Sequence, residues 1–234
     1  ALFRSFSPRL VGMTRKSSSS KHEISRGRSE DIPPKHDPLL PSMIVFDLDD
    51  CLWHPEMHEL PGPPEIPIEG ELNPLSPGER GVVAMQVPRR RTSVRLYEGA
   101  RLALRELATD PKYRGIALAC ASTSLEPSYS HMCLDGIEIL PGLTLRDMIR
   151  YDQIGRTGHL TSRKTGHFRL LHRESGIPYE EMLFFDDCNW GDHCADVADT
   201  FGVVGKRTPR GMQLSEFHRG LEKYSESAEQ RMRN

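Results

Sequence analysis

The chain has 234 residues, 37% of them hydrophobic, and a formal net charge of -2. That length suits one globular domain with a modest insertion and loose ends. The near-neutral charge gives no electrostatic case for nucleic acid as the main partner. No apolar run approaches the roughly 20 residues of a membrane span, so no membrane partner is expected either.

Residues 1–42 differ from the rest. Before Glu23 they carry Arg4, Arg9, Arg15, Lys16 and Lys21, no acid, and the run Ser17 to Ser20. In composition this resembles an organellar transit peptide. A disordered basic, serine-rich leader accounts for it equally well. The expected location is the cytoplasm, or the mitochondrion or a plastid if 1–42 act as a transit peptide. The first residue is Ala1, so the expected start lies upstream or at Met13. Prolines 33, 34, 38 and 41 then form an extended linker.

The apolar run Met43 to Phe46 predicts a buried strand, and it delivers Asp47 and Asp49 as it ends. Residues 54–94 are rich in proline and predict an irregular insertion, with a short hairpin over 82–87 and 93–96. Arg89 to Arg91 read as a solvated charge run. Glu98 to Thr109 predicts a helix, and Ile116 to Ala121 a strand. Thr144 to Ile149 suggests a short helix. Lys164 to Ser175 reads as a helix with Phe168 and Leu171 inward, closed by Gly176 and Pro178. Met182 to Phe185 is a further buried strand, and Gly202 to Val204 another. Met212 to Tyr224 is the last predicted helix, and 225–234 a disordered polar tail. Apolar strands alternating with helices define an α/β fold, a central parallel sheet covered on both faces.

Five scattered cysteines (Cys51, Cys120, Cys133, Cys188, Cys194) read as reduced, mostly buried thiols of an intracellular protein. Cys188, His193 and Cys194 are neighbours, but no second ligand pair has zinc spacing. His167 and His172 are five apart, not the four that suits a metal on one helix face. Trp53 and Trp190 each follow an acidic segment; two roles fit them, flanking a substrate ring or packing beneath the loop, and the second is the expectation.

Two strands end alike. One runs into Asp47, Asp49 and Asp50, the other into Asp186 and Asp187. In an open α/β sheet, ligands bind outside the carboxyl ends of the strands, where strand order switches. If these strands are close, four or five carboxylates converge, and a cation must offset them. Oxygen ligands alone favour a hard ion, Mg2+. The third strand ends at Ser122-Thr123-Ser124, where a hydroxyl and free amides can hold a phosphate oxygen or simply cap a helix. Lys164 opens a helix, where the dipole prefers anions. A phosphate beside it gives that charge a use; otherwise it is a solvated surface lysine.

Segments in that order carry a resemblance. FDLD followed by Cys51-Leu52-Trp53, then LYEG, ALACASTSLEP, RKTGHFRLLHRESGIPYEEMLFFDD, and GM before the last helix are similar to the haloacid-dehalogenase superfamily of phosphohydrolases. Within it they are closest to the magnesium-dependent phosphatase family, over 43–224. The resemblance implies a Rossmann-like three-layer fold with little or no cap domain, and Mg2+ as cofactor. It implies Asp47 as nucleophile, forming an aspartyl-phosphate, and Asp49 as general acid/base whose carbonyl also touches the metal. Ser122, with Thr123 beside it, would bind phosphate. Lys164 would orient the nucleophile and neutralise phosphate, while Asp186 and Asp187 join Asp47 and Asp49 at the metal. The implied substrates are phosphomonoesters of phosphotyrosine or sugar-phosphate type, in a phosphorylated small molecule or a phosphoprotein. Asp50 and Cys51 depart from the usual glycine or tyrosine and then threonine, and Thr123 stands where relatives often carry arginine. Two other functions fit the same fold: a non-catalytic phosphate- or phosphopeptide-binding module, and a phosphotransferase. Binding alone does not need two carboxylates facing a dianion, and an open site does not keep water from a phosphorylated enzyme.

Overall fold

The computed structural model describes residues 37–234; the leader expected over 1–42 falls almost wholly outside them. In chain order the elements are β1 (Met43–Phe46), β2 (Trp53–His54), β3 (Ile66–Glu71), β4 (Arg80–Gln86), β5 (Ser93–Leu96), α1 (Glu98–Thr109), β6 (Ala117–Ser122), α2 (Pro127–Gly136), β7 (Glu138–Leu140) and β8 (Leu143–Thr144). They continue as α3 (Leu145–Met148), β9 (Ile149–Ile154), α4 (Thr165–Ser175), β10 (Met182–Asp186), α5 (His193–Phe201), β11 (Val204–Arg207) and α6 (Leu214–Arg233).

Five of these strands form a parallel sheet in the order β11-β10-β1-β6-β9. The chain moves outward from β1 through β6 and β9, then returns to β10 on the other side of β1. Strand order therefore reverses at β1. Side chains alternate across a strand. Ile44 and Phe46 join the core cluster that includes Leu104 of α1 and Phe217 of α6. Met43 and Val45 join the opposite cluster, with Phe168 of α4 and Val197 of α5. The sheet is the middle of three layers, as the apolar runs predicted.

Register fixes what emerges at the end. Phe46 lies opposite Phe185 on one side and Cys120 on the other. The Asp47 amide then donates to the Phe185 carbonyl at 2.9 Å. Asp47 and Asp186 thus leave their strands level with each other. Two residues on from Val45 and Phe184, both turn to the α4 side.

The insertion corrects the expectation of an irregular segment. Residues 54–94 build most of a four-stranded antiparallel sheet, β2-β5-β4-β3. The predicted hairpin is there, with Met85 opposite Val94. Most of its prolines fall between the strands, and β3 and β4 bury only Ala84 and Met85, two adjacent positions, so a period of two is hard to read. This sheet is tied to the α1 side of the molecule. Arg101 is buried, and its guanidinium donates to the carbonyls of Glu138 (2.7 Å) and Val83 (3.2 Å). With no ion-paired acid among the described residues, burial and then the charges of Arg105 and Arg95 push it down to about 10. Arg89 to Arg91 are exposed in the β4–β5 turn.

The expected tail is also corrected. α6 runs through 225–234 as far as Arg233. Phe217, Gly220, Tyr224 and Ala228 form one buried helical stripe, and Ala228 extends it beyond the predicted end. Gly220 lies so close to the Phe185 ring that a Cβ there would stand 2.4 Å from it. β11 starts at Val204 rather than Gly202, since Gly202 is the left-handed cap of α5.

Candidate active site

The reversal of strand order opens a cavity of about 210 Å³ above β1, β6 and β10. Its floor is charged and buried. The Lys164 ammonium is 1% exposed and reaches Asp47 at 2.6 Å and Asp186 at 2.5 Å. It sits there because Lys164 is the residue before α4, and α4 packs by Phe168 and Leu171 onto the same face of the sheet. His167, one turn on, donates from Nε2 to the carbonyls of Ser122 and Gly155, both at 3.1 Å, which ties α4 to the ends of β6 and β9. His167 is therefore a strut, and burial and then the Lys164 charge push its imidazolium down to about 4.

Oxygens of Asp47, Asp186 and Asp187 lie within 4.8 Å of one another. Three carboxylates with one ammonium among them leave excess negative charge in a desolvated place. Burial raises Asp47 well above the usual carboxylate range; Lys164 opposes this, and Asp186 and Asp187 add to it. Burial likewise raises Asp187, with the Asn189 amide opposing. Asp186 is instead lowered, because Lys164 and the Cys188 amide at 2.7 Å outweigh its burial. An all-oxygen donor set of this charge fits a hard divalent cation.

Asp49 stands apart from that cluster. Its carboxylate turns toward Trp53, whose Nε1 donates to Oδ1 at 2.8 Å. Burial lifts it to about 6, against the hydrogen bonds from Trp53 and from the Met57 backbone. Ser122 and Thr123 line the same cavity, with Ser122 buried. The Ser122 hydroxyl accepts the Ser124 amide at 3.3 Å.

Asp50 has φ 53, a left-handed conformation that an aspartate tolerates better than most residues. Its Oδ1 accepts the Tyr97 hydroxyl at 3.4 Å, away from the three-carboxylate group. Burial and the Asp50 charge push that phenol to about 12. Cys51 is buried under the loop, accepting from Thr208 Oγ1 at 3.4 Å. Of the two tryptophans, Trp53 packs beneath its loop as expected. Trp190 does not: it is 74% exposed at the mouth of the cavity.

The mouth also holds residues that the sequence reading missed. Glu56 and His58 come from the loop after β2, Leu125 from the loop after β6, Arg156 from the loop after β9, and His193 from the start of α5. No local pattern marks them, because they come from four separate segments that meet only in space.

A parallel α/β sheet with two aspartate-ended strands and a lysine between them defines a phosphohydrolase of the haloacid-dehalogenase superfamily. A family model described as Acid Phosphatase matches residues 39–227, and the chain belongs to that family. It is similar to the human protein named magnesium-dependent phosphatase 1, 30% identical over 80% of this chain and 89% of the relative. A HAD-like hydrolase superfamily protein of Schizosaccharomyces pombe is 28% identical over 63% of this chain and 76% of its own length. Among solved structures, the N-terminal part of a Bacteroides fragilis protein, containing a phosphatase domain complexed with Mg, matches with a TM-score of 0.49 at 17% identity, over 79% of this chain and 40% of that one. That likeness is too slight to carry an argument.

Proposed function

We propose that this phosphatase hydrolyses phosphomonoesters in two displacements at Asp47. The observation that carries the reading is the floor: Lys164 wedged between Asp47 and Asp186, with Asp187 in the same oxygen cluster and Ser122 on the same wall. Asp47 attacks phosphorus in line, and the bond to the leaving oxygen breaks. Asp49, held protonated by burial up to about pH 6, gives its proton to that oxygen. The aspartyl-phosphate so formed is attacked by water, and Asp49, now a carboxylate, takes the water's proton. Phosphate leaves and Asp47 is restored. Lys164 holds the Asp47 oxygen in place and offsets charge on the phosphoryl group, and Ser122 donates its hydroxyl to a phosphoryl oxygen.

Mg2+ fits this reading, with Asp47, Asp186 and Asp187 as its carboxylate ligands and the Asp49 carbonyl as a further oxygen. When bound it offsets the charge between nucleophile and phosphoryl oxygens. Among the described residues of the insertion, only Glu56 and His58 reach the cavity, so no cap closes it. An open mouth admits bulky esters, a phosphorylated protein side chain or a phosphosugar. It also admits water, which favours hydrolysis over transfer to another acceptor.

The test is phosphate release from phenyl phosphate, with magnesium and with chelator, for the natural protein and Asp47→Asn. We expect a fall of more than ~10³-fold in the variant and loss of activity in chelator. Equal activity of the two proteins sinks the nucleophile assignment. Retained phosphate binding without turnover on any ester favours the binding module instead.

A further inference from the structure

We infer that the mouth is a second subsite, built by Trp190 and Arg156, that selects esters whose leaving group is a flat apolar ring carrying a second oxyanionic group. This deepens the phosphatase reading above and rests on it.

Trp190 is the first observation. Large aromatic side chains are rarely left in water. This one is 74% exposed, yet it is held. Its Nε1 donates to Glu56 Oε1 at 2.9 Å. The other Glu56 oxygen lies 3.0 Å from His58 Nδ1, and the His58 ring meets the indole edge-on with centroids 6.4 Å apart. An indole fixed at its polar edge, with an apolar face left in solvent, is a preorganised platform for a flat group. Leu125, 58% exposed, adds a second apolar surface on the wall of the same cavity.

Arg156 is the second observation. Its Nε donates to the Thr123 carbonyl at 2.8 Å, which places the guanidinium beside the end of β6. Among the described residues it has no carboxylate partner. The two terminal nitrogens remain as a planar fork, the geometry that suits an oxyanion. Most other cavity charges are acids: Asp47, Asp49, Glu56 and Asp187. Lys164 is spent on the floor. A cation tethered by one nitrogen at the mouth is thus placed for a charge other than the transferring phosphoryl group. A cavity of about 210 Å³ has volume for a phosphoryl group and one six-membered ring.

The experiment compares 3- and 4-carboxyphenyl phosphate with the matching carbamoylphenyl phosphates, which have the same shape without the charge. Glucose 6-phosphate serves as the non-aromatic ester. kcat/KM is measured with magnesium for the natural protein, Arg156→Gln and Trp190→Ala. We expect at least one carboxyphenyl ester to be preferred over its carbamoyl partner by about tenfold, as a charge-assisted hydrogen bond allows. Arg156→Gln should remove that preference. Trp190→Ala should lower both aryl classes about fivefold more than glucose 6-phosphate. A loss under Arg156→Gln that is equal on all esters overturns the inference, because the guanidinium then serves the transferring phosphoryl group. An unchanged preference overturns it too. If no ester turns over at all, the phosphatase reading fails on its own. Quenching of tryptophan fluorescence then decides the subsite: tighter binding of carboxyphenyl than carbamoylphenyl phosphate, abolished by Arg156→Gln, upholds it, and equal binding overturns it.

Discussion

The floor and the mouth of one cavity are made in different ways. The floor comes from strand register. Phe46 opposite Phe185 sets Asp47 level with Asp186, and the α4 packing face brings Lys164 between them. Everything there is buried and ionically coupled. The mouth comes from loops that share no register, and its ring and guanidinium are exposed. The difference teaches that chemistry and selectivity are mechanically separate in this fold. Trp190 and Arg156 can change without removing a buried charge, whereas the rim groups Glu56 and His193 still act on Asp49 and Asp186 through their fields.

Three changes test that separation, in order of expected size. Lys164→Met removes the ammonium and leaves three buried carboxylates without a counter-charge. We expect a loss of about 3–5 kcal/mol in urea unfolding with chelator present. Part of it should return as magnesium is added. An unchanged unfolding curve would mean that the floor is held by packing alone.

Asp49 lies between the two regions, and its effect should depend on pH. Its carboxyl titrates near 6 in the fold against 3.8 for a free aspartate. Folding therefore favours the protonated form. The stability this provides is complete below the free value and is lost as pH rises through about 6. Above that, the ionised group disfavours the fold by about 3 kcal/mol, a shift of roughly two pH units at about 1.4 kcal/mol each. Asp49→Asn should accordingly gain stability over the natural protein, more at pH 8 than at pH 5. In the natural protein, kcat/KM on an alkyl phosphate should fall as pH rises through about 6, since only protonated Asp49 serves the leaving oxygen. A stability difference independent of pH would show that Asp49 is not buried as a charge.

Glu56→Ala is the smallest change and acts on the mouth. It frees the Trp190 indole and removes the carboxylate contact with His58 Nδ1. Stability should move by less than about 1 kcal/mol. Near-ultraviolet circular dichroism should lose an indole signal as the ring becomes mobile. A large loss of stability would tie the rim to the core after all.

The same separation explains what could be read from sequence. Asp47, Asp49 and Asp186 are legible because each ends or follows a short apolar run that can only be a buried strand. Lys164 is legible from the anomaly of a cation opening a helix. Glu56, His58, Arg156 and the exposure of Trp190 are not, because three unrelated loops meet only in space. β9 escaped notice since IRYDQI buries only Ile149 and Gln153. α5, HCADVADTF, is short, with just three buried residues. The antiparallel sheet was hidden by prolines that mark its turns but also mimic disorder. Asp50 needed a backbone angle: it stands where the chain turns left-handed after β1, which explains an acid without giving it a ligand to hold.

The five cysteines, all reduced and buried, have a use unconnected with catalysis. Cys51, Cys120 and Cys133 lie in the α1/α6 layer, and Cys188 and Cys194 in the α4/α5 layer. A sulfur shielded in this way meets an alkylating reagent only when its own layer parts. The molecule thus carries a clock in each half, and the order in which the thiols are modified tells which side of the sheet breathes first.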